Sequence, residues 1–191
     1  TAYWPVNRGF DRYFGLLEGA SNYFNLKKDY LKPRTVMLDR NVYKTPAKSF
    51  YMTDAISNHA VQFLDQYGSD KRPFFLYVPY TAPHAPLHAW PKDIAKFKGA
   101  FTAGWDVLRR KRYQRMIDEG ILDKSCALSP RDDSVNGWRL SQLLHQTDKL
   151  ERKMEVYAAQ VASMDAGIGR VLGKLDELQV ADETVVIFMS D

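Results

Sequence analysis

Two uninterrupted apolar runs constrain this chain more than any other feature: Phe74-Phe75-Leu76-Tyr77-Val78 and Thr184-Val185-Val186-Ile187-Phe188-Met189. Each has the length of a strand, is rich in aromatic and β-branched residues, and lacks the polar alternation of a half-solvated strand. Such runs predict strands buried on both faces, as in a parallel sheet covered by helices. The rest of the sequence supplies those helices. Thr53 is an N-cap candidate with Asp54 in the first turn, and Ile56, Ala60, Phe63, Leu64 and Tyr67 recur at helical spacing up to Gly68. A longer helix is predicted from about Leu150 to Leu178, with Tyr157, Val161, Met164, Ile168, Val171, Leu172 and Leu175 as its apolar stripe. Gly167, Gly169 and Gly173 would weaken that helix in isolation but permit close packing on a sheet. The order of elements predicts an α/β fold with a mostly parallel central sheet flanked by helices.

Between the two runs, Pro83, Pro86 and Pro91 exclude helix and central strand, so residues 79–91 are read as a loop. Residues from about 92 to 150 read as a mostly helical insertion, with one helix over Ala103–Glu119 ended by Gly120. Residues 1–50 read as loops with short strands at Thr35–Leu38 and Asn41–Tyr43. In open α/β sheets, ligands bind outside the carboxyl ends of the strands. His84 follows Val78 by six residues and Asp191 follows Met189 by two, so both fall where such a crevice would lie. An imidazole and a carboxylate there form the candidate site.

Composition narrows the partners. Apolar residues make up 45% and charged residues 26%, the balance of an ordinary globular chain. The single cysteine, Cys126, excludes an internal disulfide and a thiolate zinc cluster. A net charge of +4 is too weak to identify nucleic acid as a partner. The basic run Arg109-Arg110-Lys111-Arg112, with Arg115, reads as a solvated or acid-paired helix face. No stretch approaches the ~20 apolar residues needed to cross a bilayer, so no membrane partner is expected. The chain opens on Thr1 and closes on Asp191 directly after an apolar run, so both ends look cut.

Several segments, in order, carry a family resemblance. Asn7-Arg8-Gly9-Phe10-Asp11-Arg12-Tyr13-Phe14-Gly15, then Gly19 and Asn22-Tyr23-Phe24, resemble the RGFD segment of sulfatases. Phe74 to Pro86, with Thr81-Ala82-Pro83-His84, is similar to their strand and Thr-x-Pro-His loop. Tyr157 to Val171 and then Val186 to Asp191 resemble the helix and strand that precede their Asp-Asn metal motif. Ala103-Gly104-Trp105-Asp106 through Gly120 resembles the bacterial arylsulfatase branch. The chain is thereby read as an interior part, residues 1–191, of one sulfatase catalytic domain, without the nucleophile segment and the C-terminal part.

The resemblance implies an alkaline-phosphatase-like fold and hydrolysis of a small-molecule or carbohydrate sulfate ester. It implies a formylglycine nucleophile, made from a cysteine or serine outside this chain, and a calcium or magnesium ion held by oxygen ligands. His84 matches the histidine that contacts the sulfate group, and Asp191 matches the first residue of the metal pair. His88 is a weaker candidate, while His59 and His145 are read as structural or exposed. Cys126-Ala127-Leu128-Ser129-Pro130-Arg131 superficially resembles Cys-x-Pro-Ser-Arg, but its serine precedes its proline and its arginine comes one position late. Cys126 is therefore read as an ordinary thiol. The isolated chain is expected to be inactive, and a periplasmic or secreted location follows from the resemblance alone. A phosphatase or phosphonate monoester hydrolase of the same superfamily, and a non-catalytic binding protein on the same scaffold, are the alternatives.

Overall fold

The computed structural model describes residues 3–19, 21–26, 33–46, 48–68, 70 and 72–189. They group into two compact units, one drawn from residues 1–89 and 160–191, the other from residues 90–159.

In the first unit, β1 (Phe14–Leu16), β2 (Val36–Leu38) and β3 (Asn41–Val42) form an antiparallel sheet in the order β1-β2-β3. Phe14 pairs with Leu38, Leu16 with Val36, and Met37 with Val42. Both short strands expected after Thr35 are present. Asp39 opens the two-residue turn between β2 and β3 at φ 54°, a left-handed conformation that short polar side chains tolerate. Its carboxylate accepts the Tyr13 backbone N–H at 3.0 Å and the Arg12 Nε–H at 3.1 Å. Arg12 also donates to Gln66 and to the Tyr67 hydroxyl, and its guanidinium lies 4.7 Å from the Phe63 ring centroid. The segment resembling the RGFD motif thus ties the hairpin to the first long helix.

That helix, α1, spans Met52–Tyr67 and ends at Gly68. Ile56, Ala60 and Leu64 are buried on it, as their spacing predicts. Its start differs from expectation. Tyr51, in extended conformation, is the N-cap, and no side chain caps the helix; the Thr53 hydroxyl is buried one step inside without a partner. Tertiary contacts fix the entry point instead. The Tyr51 ring stacks on Phe24 at 4.9 Å, its hydroxyl donates to the His88 carbonyl at 2.9 Å, and Met52 N–H donates to the Tyr23 carbonyl at 2.9 Å.

The second unit is helical: α2 (Pro91–Ala95), α3 (Trp105–Asp118), α4 (Trp138–Leu143) and the first turns of α5, which runs Thr147–Glu177. Gly104 precedes α3 at φ 75°, and a Cβ there would lie 2.1 Å from the Trp138 ring, so only glycine fits both demands. Trp105 meets Trp138 edge-on at 4.8 Å, and the Asp106 carboxylate accepts the Trp138 backbone N–H at 2.7 Å. The start of α3 and the start of α4 are therefore built against each other. Gly120, at φ 70°, follows the end of α3. Along α3, Arg110, Lys111 and Arg112 are exposed, Arg109 donates to Ser129, and Arg115 pairs with Glu119 at 2.7 Å.

Three further expectations are corrected by the structure. Among the described residues, no strand ladder includes residues 74–78 or 184–189, and the expected parallel sheet is not formed. Most of their residues are exposed instead, with Phe75 at 78% and Val185 at 87%, while Leu76, Val78 and Thr184 are half-buried. A strand exists only through hydrogen bonds to a neighbour, and none of the described strands lies beside them. The glycines of α5 also differ from their predicted use. Gly167 faces α1 rather than a sheet: a Cβ there would lie 2.1 Å from Ser57 Oγ. A Cβ added at Gly169 or Gly173 would meet nothing within 4 Å. Tyr157 and Leu172, placed on the apolar stripe, are exposed, while Glu155, Ala159 and Gln160 are buried.

Candidate functional site

His84 lies on a turn of the 79–91 loop, in the first unit. The turn closes through the His84 N–H, which donates to the Thr81 carbonyl at 3.1 Å. Ala82 and Ala89 anchor the loop by burial, and the His84 ring is exposed. Its Nδ1 stands 2.6 Å from the Ala85 carbonyl oxygen. A carbonyl can only accept, so Nδ1 must carry the proton, and Nε2 is left as the ring atom available to a ligand. In the neutral ring Nε2 accepts a proton; in the cation it donates one.

The turn is held from below. Tyr23, which lies between β1 and β2 in the sequence and is buried, donates its hydroxyl to the Thr81 carbonyl at 2.7 Å and to the His84 carbonyl at 2.8 Å. Tyr23 falls within the RGFD-like stretch, but nothing in the residue type alone separates it from the other aromatic residues nearby.

The remaining candidates separate clearly. His88 belongs to an aromatic cluster, with its ring 6.1 Å from both Tyr23 and Phe24 and its Nδ1 buried without a partner. Burial lowers its pKa and favours the neutral ring. His59 stacks on Phe14 at 3.8 Å and meets Tyr43 edge-on at 5.5 Å. Burial first, and then the Arg12 charge, lowers its pKa, with Asp39 opposing. Both are packing residues. His145 is exposed just beyond α4 at φ 52°. Cys126 is an exposed free thiol whose backbone carbonyl accepts the Tyr113 hydroxyl at 2.6 Å. Asn22 uses its side-chain oxygen to accept the N–H groups of Phe24 and Asn25 at 2.9 Å, and Trp90 is the N-cap of α2.

Asp191 lies outside the described residues. Among those described, no group of three His, Cys, Asp or Glu side chains could hold a metal ion. The described residues therefore do not by themselves fit a cation, and no chemical step is routed through one below. Among the described residues, no helix is long and apolar enough to cross a membrane.

These elements define an α/β chain with an imidazole offered from a braced loop after an apolar run. Comparison with known proteins turns that class into a family. The family model described as Sulfatase matches residues 1–191. An uncharacterized sulfatase of Schizosaccharomyces pombe is 34% identical over 98% of this chain and 35% of its own length. The arylsulfatase of Klebsiella aerogenes is 28% identical over 98% of this chain and 40% of its own. The crystal structure of Ps i-CgsB in complex with k-i-k-neocarrahexaose superposes with a TM-score of 0.57 at 25% identity, covering 93% of this chain and 31% of that one. The chain belongs to the sulfatase family. It spans between 35% and 40% of the length of these two curated relatives.

Proposed function

We propose that the protein containing this chain hydrolyses sulfate monoesters, with His84 contacting the sulfate group or the leaving oxygen. The observation that carries this reading is the fixed His84 ring: Nδ1–H is committed to the Ala85 carbonyl, which leaves Nε2 as the ring atom available to an ester. As the cation it donates to a sulfate oxygen or protonates the departing alcohol. Family membership supports the ester class, and the oligosaccharide bound to Ps i-CgsB favours a carbohydrate sulfate over a simple aryl one. The formylglycine nucleophile, the calcium or magnesium ion with Asp191 as a ligand, and a periplasmic or secreted location belong to the same reading. So does an alkaline-phosphatase-like sheet in which residues 74–78 and 184–189 are strands paired with segments outside this chain.

Sequencing the gene upstream of Thr1 tests the reaction class. A Cys-x-Pro-Ser-Arg motif supports the sulfatase; a Thr or Ser nucleophile without that context points to a phosphatase, and no nucleophile points to a binding protein. In the full-length protein, His84→Ala should lower kcat for a sulfate ester by about 10²–10⁴. A loss below tenfold with unchanged KM removes His84 from the reaction.

A further inference from the structure

We propose that Tyr23 is the positioning residue for His84, setting where Nε2 sits by gripping the main chain of its turn. This rests on the reading of His84 given above. Two carbonyls 58 and 61 residues along the chain converge on one hydroxyl, at 2.7 and 2.8 Å. They belong to the two ends of the turn, Thr81 and His84, whose own closure is the 3.1 Å bond between them. A single hydroxyl proton shared between both ends fixes the turn as a rigid triangle rather than at one point. The ring of His84 is then carried on that triangle by its 2.6 Å contact to Ala85. Every link from Tyr23 to Nε2 is thus a short hydrogen bond or a covalent bond.

Tyr23 is itself well anchored. It is buried, its carbonyl accepts the Met52 N–H at the start of α1, and its ring packs against Tyr51 at 5.9 Å and His88 at 6.1 Å. Burial raises its pKa, against the opposing pull of its partners, so the hydroxyl keeps the proton that it donates. Gln160, fully buried on α5, also interacts with the Tyr23 hydroxyl and, with Thr81, opposes the rise in its pKa. A phenylalanine would fill the same space, so packing alone does not require the hydroxyl. The grip on the turn does.

The test uses the full-length protein, with kcat and KM for a sulfate ester and the ¹⁵N shifts of the His84 ring as two independent readouts. Displacing a reacting group by about 1 Å costs about 10²-fold, so Tyr23→Phe should lower kcat by about 10–100-fold with KM little changed. The loss should vanish in a His84→Ala background, because a group that is absent cannot be misplaced. Tyr23→4-aminophenylalanine, which restores a donor on the same ring, should recover most of the rate. An equal loss in both backgrounds, or no recovery with the amino ring, overturns the proposal in favour of simple packing. Should Tyr23→Phe fail to fold, the amino variant alone decides: near-normal kcat supports the grip, and a tenfold loss sinks it. The ring shifts separate this inference from the reaction itself. If Tyr23→Phe moves them while His84→Ala leaves turnover intact, the anchor stands and the His84 chemistry falls. If they stay put while His84→Ala is damaging, the chemistry stands and the anchor falls.

Discussion

Two half-buried imidazoles give the fold a definite response to acid. His59 and His88 both have pKa values lowered chiefly by burial, and both have an Nδ1 without a hydrogen-bond partner. Above the ordinary value of 6.5 they are neutral folded or unfolded and contribute no pH dependence. As pH falls through that value the unfolded chain binds protons first, so stability declines until the lower, folded pKa is passed. Native-state hydrogen exchange of α1 should therefore show smaller protection factors at about pH 5.5 than at about pH 8, after correction for intrinsic rates. His59→Phe keeps the stack on Phe14 and should shrink that difference; an undiminished difference would clear His59 of any part in it. The loop that carries His84 was legible in the sequence, because proline spacing and an apolar run located it. The Tyr23 contact with that loop was not, because it joins backbone carbonyls that are distant in sequence. No property of a tyrosine read in line reveals which carbonyls it will meet.

At the level of elements, the helices followed from periodicity within a few residues, while their packing did not. α3 and α5 start and stop near their expected bounds because Gly120 and the polar flanks act locally. The start of α1 shifted from a side-chain cap at Thr53 to an uncapped Tyr51, since burial of an aromatic ring outweighed about 1 kcal/mol of capping. Glycine shows the same division between local and tertiary causes, and it yields opposite predictions for one substitution. Gly104→Ala places a Cβ 2.1 Å from Trp138 at a positive φ, and should destabilise by about 1–3 kcal/mol. Gly169→Ala, inside α5 with nothing within 4 Å, should stabilise by about 1 kcal/mol through helix propensity. Urea midpoints of the two variants should move in opposite directions. A shared direction would mean that one of the two local environments has been misread.

For the molecule as a whole, the sequence was a good guide to which segments are apolar and a poor one to what covers them. Residues 74–78 and 184–189 carry the signal of doubly covered strands, yet the described residues cover them only in part, because pairing partners leave no trace in the paired sequence itself. Expressed alone, residues 1–191 should show no multiple turnover of a sulfate ester; sustained turnover free of contaminating enzyme would refute the fragment reading. The two bare runs also differ in how well they resist self-association. Pro73 and Pro79 bracket the first, and proline at each end interrupts growth of an intermolecular ladder. The second, Val185 to Met189, has neither proline nor charge within it. It meets the requirements of an amyloid-type segment and should nucleate aggregation of the excised chain. Ile187→Lys, a single gatekeeper charge, should therefore keep more of that chain soluble than the same change at Leu76.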